Sequence, residues 1–164
     1  MSVYAADKLI AQARLLAAEY RRTMGKPLPG ISSEIAEHDA VKLLRLEPRP
    51  EGASGYDAVD PARDGLRIQI KSRTIFDESK SGQRVGQLKM DQAWDAVVLV
   101  LMDEEYEPYE IYEAQRSDIE AFINSSSSSR AKRGAMSVAR FKIIARLVWT
   151  REDGLEPEVW DNQA

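Results

Sequence analysis

The chain has 164 residues, 30% of them charged and 43% hydrophobic, and a net charge of −4. These proportions fit one globular domain, and no apolar run approaches the roughly 20 residues that span a bilayer, so no membrane association is expected. Cysteine is absent and His38 is the single histidine, which excludes a disulfide framework and a zinc site of the His/Cys kind. Any metal held by side chains must then rely on oxygen ligands, and a reducing cytoplasm is the simplest compartment.

In chain order, residues 3–24 predict an amphipathic helix. Leu9, Ile10, Ala13, Leu16, Ala17 and Tyr20 recur at helical spacing, and Gly25 stands where a helix ends. Residues 1–12 lack the basic start and apolar centre of a secretory signal. After the turn KPLPG, a second helix is predicted over 33–46, with Ser32 or Ser33 as its cap and Pro48 beyond its end. The period then changes. Residues 56–60 predict a short strand closed by Asp60-Pro61, and Asp64-Gly65 signals a hairpin.

Residues 66–73 alternate, with Ile68 and Ile70 on one face and Arg67, Gln69, Lys71 and Arg73 on the other. Residues 96–102 form an apolar run of strand length, suited to burial on both faces, and 109–112 read as its neighbour. A helix follows near 117–123. Ser137 can cap a last helix whose stripe is Val138, Phe141, Ile144, Ala145 and Val148. The expected organisation is a single α/β domain over residues 1–164, a central mixed sheet flanked by helices. It comprises an N-terminal helix (1–25), a core (30–150), a flexible serine-rich and basic loop (124–134) and an acidic tail (151–164) that includes Trp160.

Charge is unevenly spread. Residues 63–89 hold seven Lys/Arg against three Asp/Glu, and residues 130–146 hold six basic residues and no acid. Residues 103–120 hold eight acids against one arginine. A polyanion can meet the basic segments while the acidic one faces away. Within 55–71 (GYDAVDPARDGLRIQIK) an acid ends one short strand and the next offers Gln-x-Lys. Strand alternation puts Gln69 and Lys71 on one side, about 7 Å apart, and pairing of the strands brings Asp57 beside them. A carboxylate, an amide oxygen and an ammonium together suit metal-assisted phosphodiester hydrolysis. The plain rival is a cross-strand Asp57–Lys71 ion pair, worth at most about 1 kcal/mol when exposed.

Asp57, the hairpin and Gln69-Ile70-Lys71 resemble the PD-(D/E)XK nuclease superfamily. The resemblance is to the Gln-x-Lys variant found in methylation-dependent restriction endonucleases and transposon-end nucleases. It extends over most of residues 30–150, through Trp94-Asp95-Ala96-Val97, Tyr112-Glu113-Ala114, Phe141 and Trp149. It is also similar to small uncharacterised bacterial members. The resemblance implies a restriction-endonuclease-like fold and a DNA-cleaving activity that uses Mg2+ or Mn2+ and a metal-activated water. Asp57, Gln69 and Glu37 would be the metal ligands, with Lys71 completing the catalytic set. Glu37 is preferred to Glu34 because it shares a stripe with Val41 and Leu44.

Tyr56 stands where the family usually has proline, and the neutral Gln69 leaves one fewer negative charge for the cation. Arg67 and Arg73, on the face of Lys71, and Arg130, Lys132 and Arg133 in the basic loop are the candidate nucleic-acid contacts. Residues 79–86 read as a loop, either over the substrate groove or simply flexible. His38 is assigned no role, and a homodimer is among the assemblies this reading allows. Two other functions fit the sequence: the same fold with a silent site, binding nucleic acid or protein, and a regulatory protein whose acidic stretch meets a basic partner.

Overall fold

A computed structural model describes residues 3–76, 83–125 and 135–157. The basic residues Arg130, Lys132 and Arg133 lie outside them, as do most of the serine-rich loop, residues 79–82 of the segment 79–86, and Trp160. Four helices are described: α1 (Val3–Met24), α2 (Ile31–Leu43), α3 (Arg116–Ser125) and α4 (Val138–Ile144). The strands are β1 (Glu47–Pro48), β2 (Ala58–Asp60), β3 (Leu66–Thr74), β4 (Arg84–Val85), β5 (Ala96–Met102), β6 (Pro108–Gln115), β7 (Met136–Ser137), β8 (Arg146–Thr150) and β9 (Gly154–Leu155). Seven of them build one mixed sheet in the order β1-β2-β3-β5-β6-β8-β9, and β4 and β7 form a small separate pair. Only β3 and β5 run parallel; the other neighbours are antiparallel.

The apolar run 96–102 becomes the centre of this sheet because both of its faces are covered. All seven β5 residues are buried. Ala96, Val98, Val100 and Met102 join Ala58, Ile68 and the α2 residues Ile35, Ala36 and Ala40 in one core. Val97, Leu99 and Leu101 join Val85, Leu88, Trp94, Ile119 and Phe141 in the other. Fully burying a Val or Leu side chain contributes about 1.5–3 kcal/mol, so this strand ties the two layers together. The outermost strands β1 and β9 are two residues each, and Pro48 removes a donor from the β1 edge, which discourages pairing with other chains.

The α/β architecture with a central mixed sheet flanked by helices is the one expected, with four local differences. Helix α2 begins at Ile31 rather than near Ser33; Gly30, at φ 82°, takes the cap position without a side-chain bond. Glycine adopts that left-handed conformation at no steric cost, so the chain turns into the helix before either serine. The strand expected over 56–60 is regular only from Ala58. Ser137 does cap α4, accepting from the Arg140 amide at 3.1 Å, but the helix stops at Ile144. Arg146–Thr150 instead pairs with β6, placing Leu147 opposite Tyr112 and Trp149 opposite Ile111. The stripe expected for α1 is buried only in part: Ala17 is buried and Ile10, Ala13 and Tyr20 are half-buried, but Leu9 and Leu16 are not. This helix packs chiefly on α2, burying Ala17 and Ala18 and leaving Leu9 and Leu16 more than half exposed.

Two arginine networks hold the layers in register. Arg63, in the turn after β2, donates to both oxygens of buried Glu113 in β6 at 2.7 and 2.8 Å and to Asp60 at 2.6 Å. Arg14 of α1 donates to both oxygens of Asp39 in α2 at 2.9 and 2.8 Å and to the Tyr106 carbonyl. Among the described residues no helix is long and apolar enough to cross a membrane.

Candidate active site

Ala58 faces Ile68 in the antiparallel β2–β3 register, and Asp57 stands just before β2, where the regular pairing ends. Gln69 and Lys71, two residues apart on β3, share one face of the strand. Asp57 is held here by two bonds to β3. Its amide donates to the Ile68 carbonyl at 2.8 Å, and its Oδ2 accepts from the Ile70 amide at 2.7 Å. A carboxylate doing the work of a ladder carbonyl needs a short polar side chain, which aspartate supplies. The turn that delivers it contains Gly55, at φ 90°; a Cβ there would lie 3.0 Å from Gln92 Oε1 and 3.1 Å from the Ala93 amide nitrogen.

Gln69 carries the most informative atom of the site. Its Nε2 donates to the Gly55 carbonyl at 3.4 Å, which orients the amide. Its Oε1 is buried and has no hydrogen-bond partner among the described residues. A buried acceptor left in that state costs about 1–3 kcal/mol, and such atoms in folded proteins generally mark a bound water, an ion or a functional group. Glutamine on a solvated strand face would carry no such cost.

Lys71 is half-buried and makes no hydrogen bond or ion pair within 4 Å to a described residue. Burial pushes its ammonium below the ordinary value, Asp57 pulls it back up, and Arg73 and Lys89 push it down again. Gly86, following β4, borders it: an added methyl would sit 3.6 Å from Nζ. Glu37 projects from α2, the helix on the opposite layer. Burial raises its carboxyl above the usual range, and the charges of Asp57 and then Glu34 add to that effect, while Arg49 opposes it. Glu37 and Asp57 are therefore electrostatic neighbours near the β1 margin of the sheet. Glu34 is exposed. Glu37 also lines a cavity of about 310 Å3 between α1, α2 and β1, whose walls include Leu9, Ile10, Val41 and Pro48. Asp57, Gln69 and Lys71 are not among its walls.

The candidate phosphate contacts fare differently. Arg67 is committed to Asp95, with Nε–Oδ2 and Nη2–Oδ1 distances of 3.1 Å, and that bond holds the Asp95 carboxyl below its usual range. Arg73 folds back onto the carbonyls of Arg84 and Ser72, fastening β4 to β3, so its half-buried charge lies beside Lys71 rather than out in solvent. Two cations that the motif did not single out also belong to the surroundings. Lys89 acts on Lys71. Arg49 donates to the Tyr56 carbonyl at 3.2 Å, one residue before Asp57, and acts on Glu37. Neither has a local sequence signature; both arrive through the pairing of segments distant in the chain.

Among the described residues, no three carboxylate or histidine side chains gather closely enough to hold a metal by themselves. The oxygens of this region are the carboxylates of Asp57 and Glu37, which feel each other's charge, and the Gln69 amide on the strand to which Asp57 bonds. Those donors suit a hard divalent cation of the magnesium type, which binds through few protein oxygens and keeps much of its own hydration. The orphaned Gln69 oxygen is the position such an ion would satisfy. No protein-family model matches the chain, and no characterised protein aligns with it significantly.

Proposed function

We propose that this chain is a metal-dependent nuclease that hydrolyses DNA phosphodiester bonds. The observation that carries the reading is the buried Gln69 Oε1, without a hydrogen-bond partner among the described residues, on the strand face it shares with Lys71 and beside Asp57. Mg2+ or Mn2+ bound there by Asp57, Gln69 and Glu37 would polarise the phosphate and acidify water. The protein's own share is positional. The Ile70 amide locks the Asp57 carboxylate in one orientation, and the Gly55 carbonyl fixes the amide of Gln69. Lys71, which has no hydrogen-bond or ion-pair partner among the described residues, would donate to a phosphate oxygen or orient the attacking water as charge develops. Lys89 and Arg73 add positive potential beside it, which favours a polyanion over a neutral substrate. A cytoplasmic setting, with DNA and millimolar magnesium at hand, suits this chemistry.

The test is cleavage of supercoiled and branched DNA in Mg2+ or Mn2+, with Asp57→Ala and Lys71→Ala alongside. Cleavage by the native chain that both substitutions reduce by at least a hundredfold is the expected outcome. Gln69→Glu adds the missing negative charge and should lower the metal concentration for half-maximal activity about tenfold, a difference of about 1.4 kcal/mol. Binding of DNA without cleavage, unchanged by Asp57→Ala, would replace the enzyme with a silent nucleic-acid-binding module. No binding, or binding indifferent to salt, would remove nucleic acid as the partner, because phosphate contacts weaken as salt rises.

A further inference from the structure

The outward face of α1 is the largest feature that the site leaves unexplained. Tyr4 is 78% exposed, Leu15 69%, Leu16 56% and Leu9 52%, on a helix whose opposite side packs Ala17, Ala18 and Arg14 inward. They form two flanking pairs, Tyr4 with Leu15 and Leu9 with Leu16, about 120° apart around the helix, and Leu9 also borders the cavity beside α2. Between them, on the midline of this face, stand Lys8 and Glu19, neither of which makes a hydrogen bond or ion pair to a described residue.

We propose that this face docks against the same face of a second copy, with the two α1 helices antiparallel. The positions of the charges select this occupant. The helix runs from Val3 to Met24, so its midpoint falls between Ala13 and Arg14, and Lys8 and Glu19 lie equally far on either side of it. An antiparallel partner in full overlap therefore sets Lys8 against Glu19 of the second copy, and Glu19 against its Lys8. The same two-fold places Leu15 opposite Gln12 and Leu16 opposite Ala11, with the leucines of both copies near the axis. A parallel partner would instead bring Lys8 to Lys8 and Glu19 to Glu19. Self-complementarity under a two-fold is what an isologous dimer requires. The helix is about 33 Å long at 1.5 Å per residue, and one helix face covers well under the roughly 800 Å2 per partner of a standard interface. The dimer is accordingly a weak, concentration-dependent one. This inference does not rest on the nuclease reading.

Sedimentation velocity on the full chain, from about 1 to 200 µM, reads it directly. Reversible dimerisation is expected within that range, with Lys8→Glu and Glu19→Lys each weakening it at least tenfold and Lys8→Glu/Glu19→Lys together restoring it. Leu16→Glu should abolish it, with an unchanged circular dichroism spectrum showing that the fold survives. A chain that stays monomeric throughout, or association that ignores these substitutions, would overturn the proposal. So would failure of the double exchange to restore it, since the antiparallel register demands that rescue.

Discussion

Lys71 shows how a single side chain records its surroundings. On the sequence the Gln-x-Lys spacing singles it out, but Arg67 and Arg73 share its strand face and carry the same charge. In the fold Arg67 is neutralised by Asp95 and Arg73 is spent on backbone carbonyls, which leaves Lys71 half-buried and pushed below its ordinary 10.5, chiefly by burial. The sign of the consequence follows from linkage. A lysine depressed in the folded state destabilises it while protonated in both states, and that penalty fades as pH rises through the folded value toward 10.5. Lys71→Met should therefore raise the melting temperature of the metal-free protein at neutral pH. The gain should shrink as the buffer approaches pH 10.5, measured by calorimetry across that range. A gain independent of pH would mean that packing, not charge, governs this position.

At the scale of elements, the turn that carries Asp57 depends on Gly55. Its positive φ and its approach to Gln92 and Ala93 leave no room for a Cβ, and the Ala93 amide is backbone that cannot swing away. Gly55→Ala is expected to cost about 1–3 kcal/mol in urea unfolding and, by moving the carbonyl that Gln69 uses, to loosen the amide as well. Much at this scale was legible in the residues. The alternation of 66–73, the seven-residue apolar run of β5 and the Ser137 cap all match local periodicity or capping chemistry. The last helix was misread because Val138, Phe141, Ile144, Ala145 and Val148 satisfy a helical stripe on paper. Leu147 and Trp149 gain more as partners of β6, and only the presence of that neighbouring strand decides between the two. The α1 stripe held only in part for a related reason: the helix packs chiefly on α2, which covers Ala17 and leaves Leu9 and Leu16 more than half exposed.

For the molecule as a whole, the buried ionic network around Glu113 joins the β2 turn to β6 across the sheet. Truncation by Arg63→Ala leaves a carboxylate with 3% side-chain exposure without its bidentate partner. The expected loss is about 3 kcal/mol, the lower end for a buried pair, because Arg63 itself is a third exposed. Guanidinium unfolding should show an earlier midpoint with an unchanged slope; an unaffected midpoint would mean that solvent or Gln115 replaces the arginine. The sequence by itself determined the α/β class, the central strand and the shared face of Gln69 and Lys71, because strand periodicity and apolar runs are properties of neighbouring residues. Only the tertiary structure decided that Glu37 lies near Asp57, that Arg67 is already paired, and that Gln69 Oε1 is buried with no partner among the described residues. Burial and electrostatic contact arise between segments far apart in the chain, and no local pattern records them.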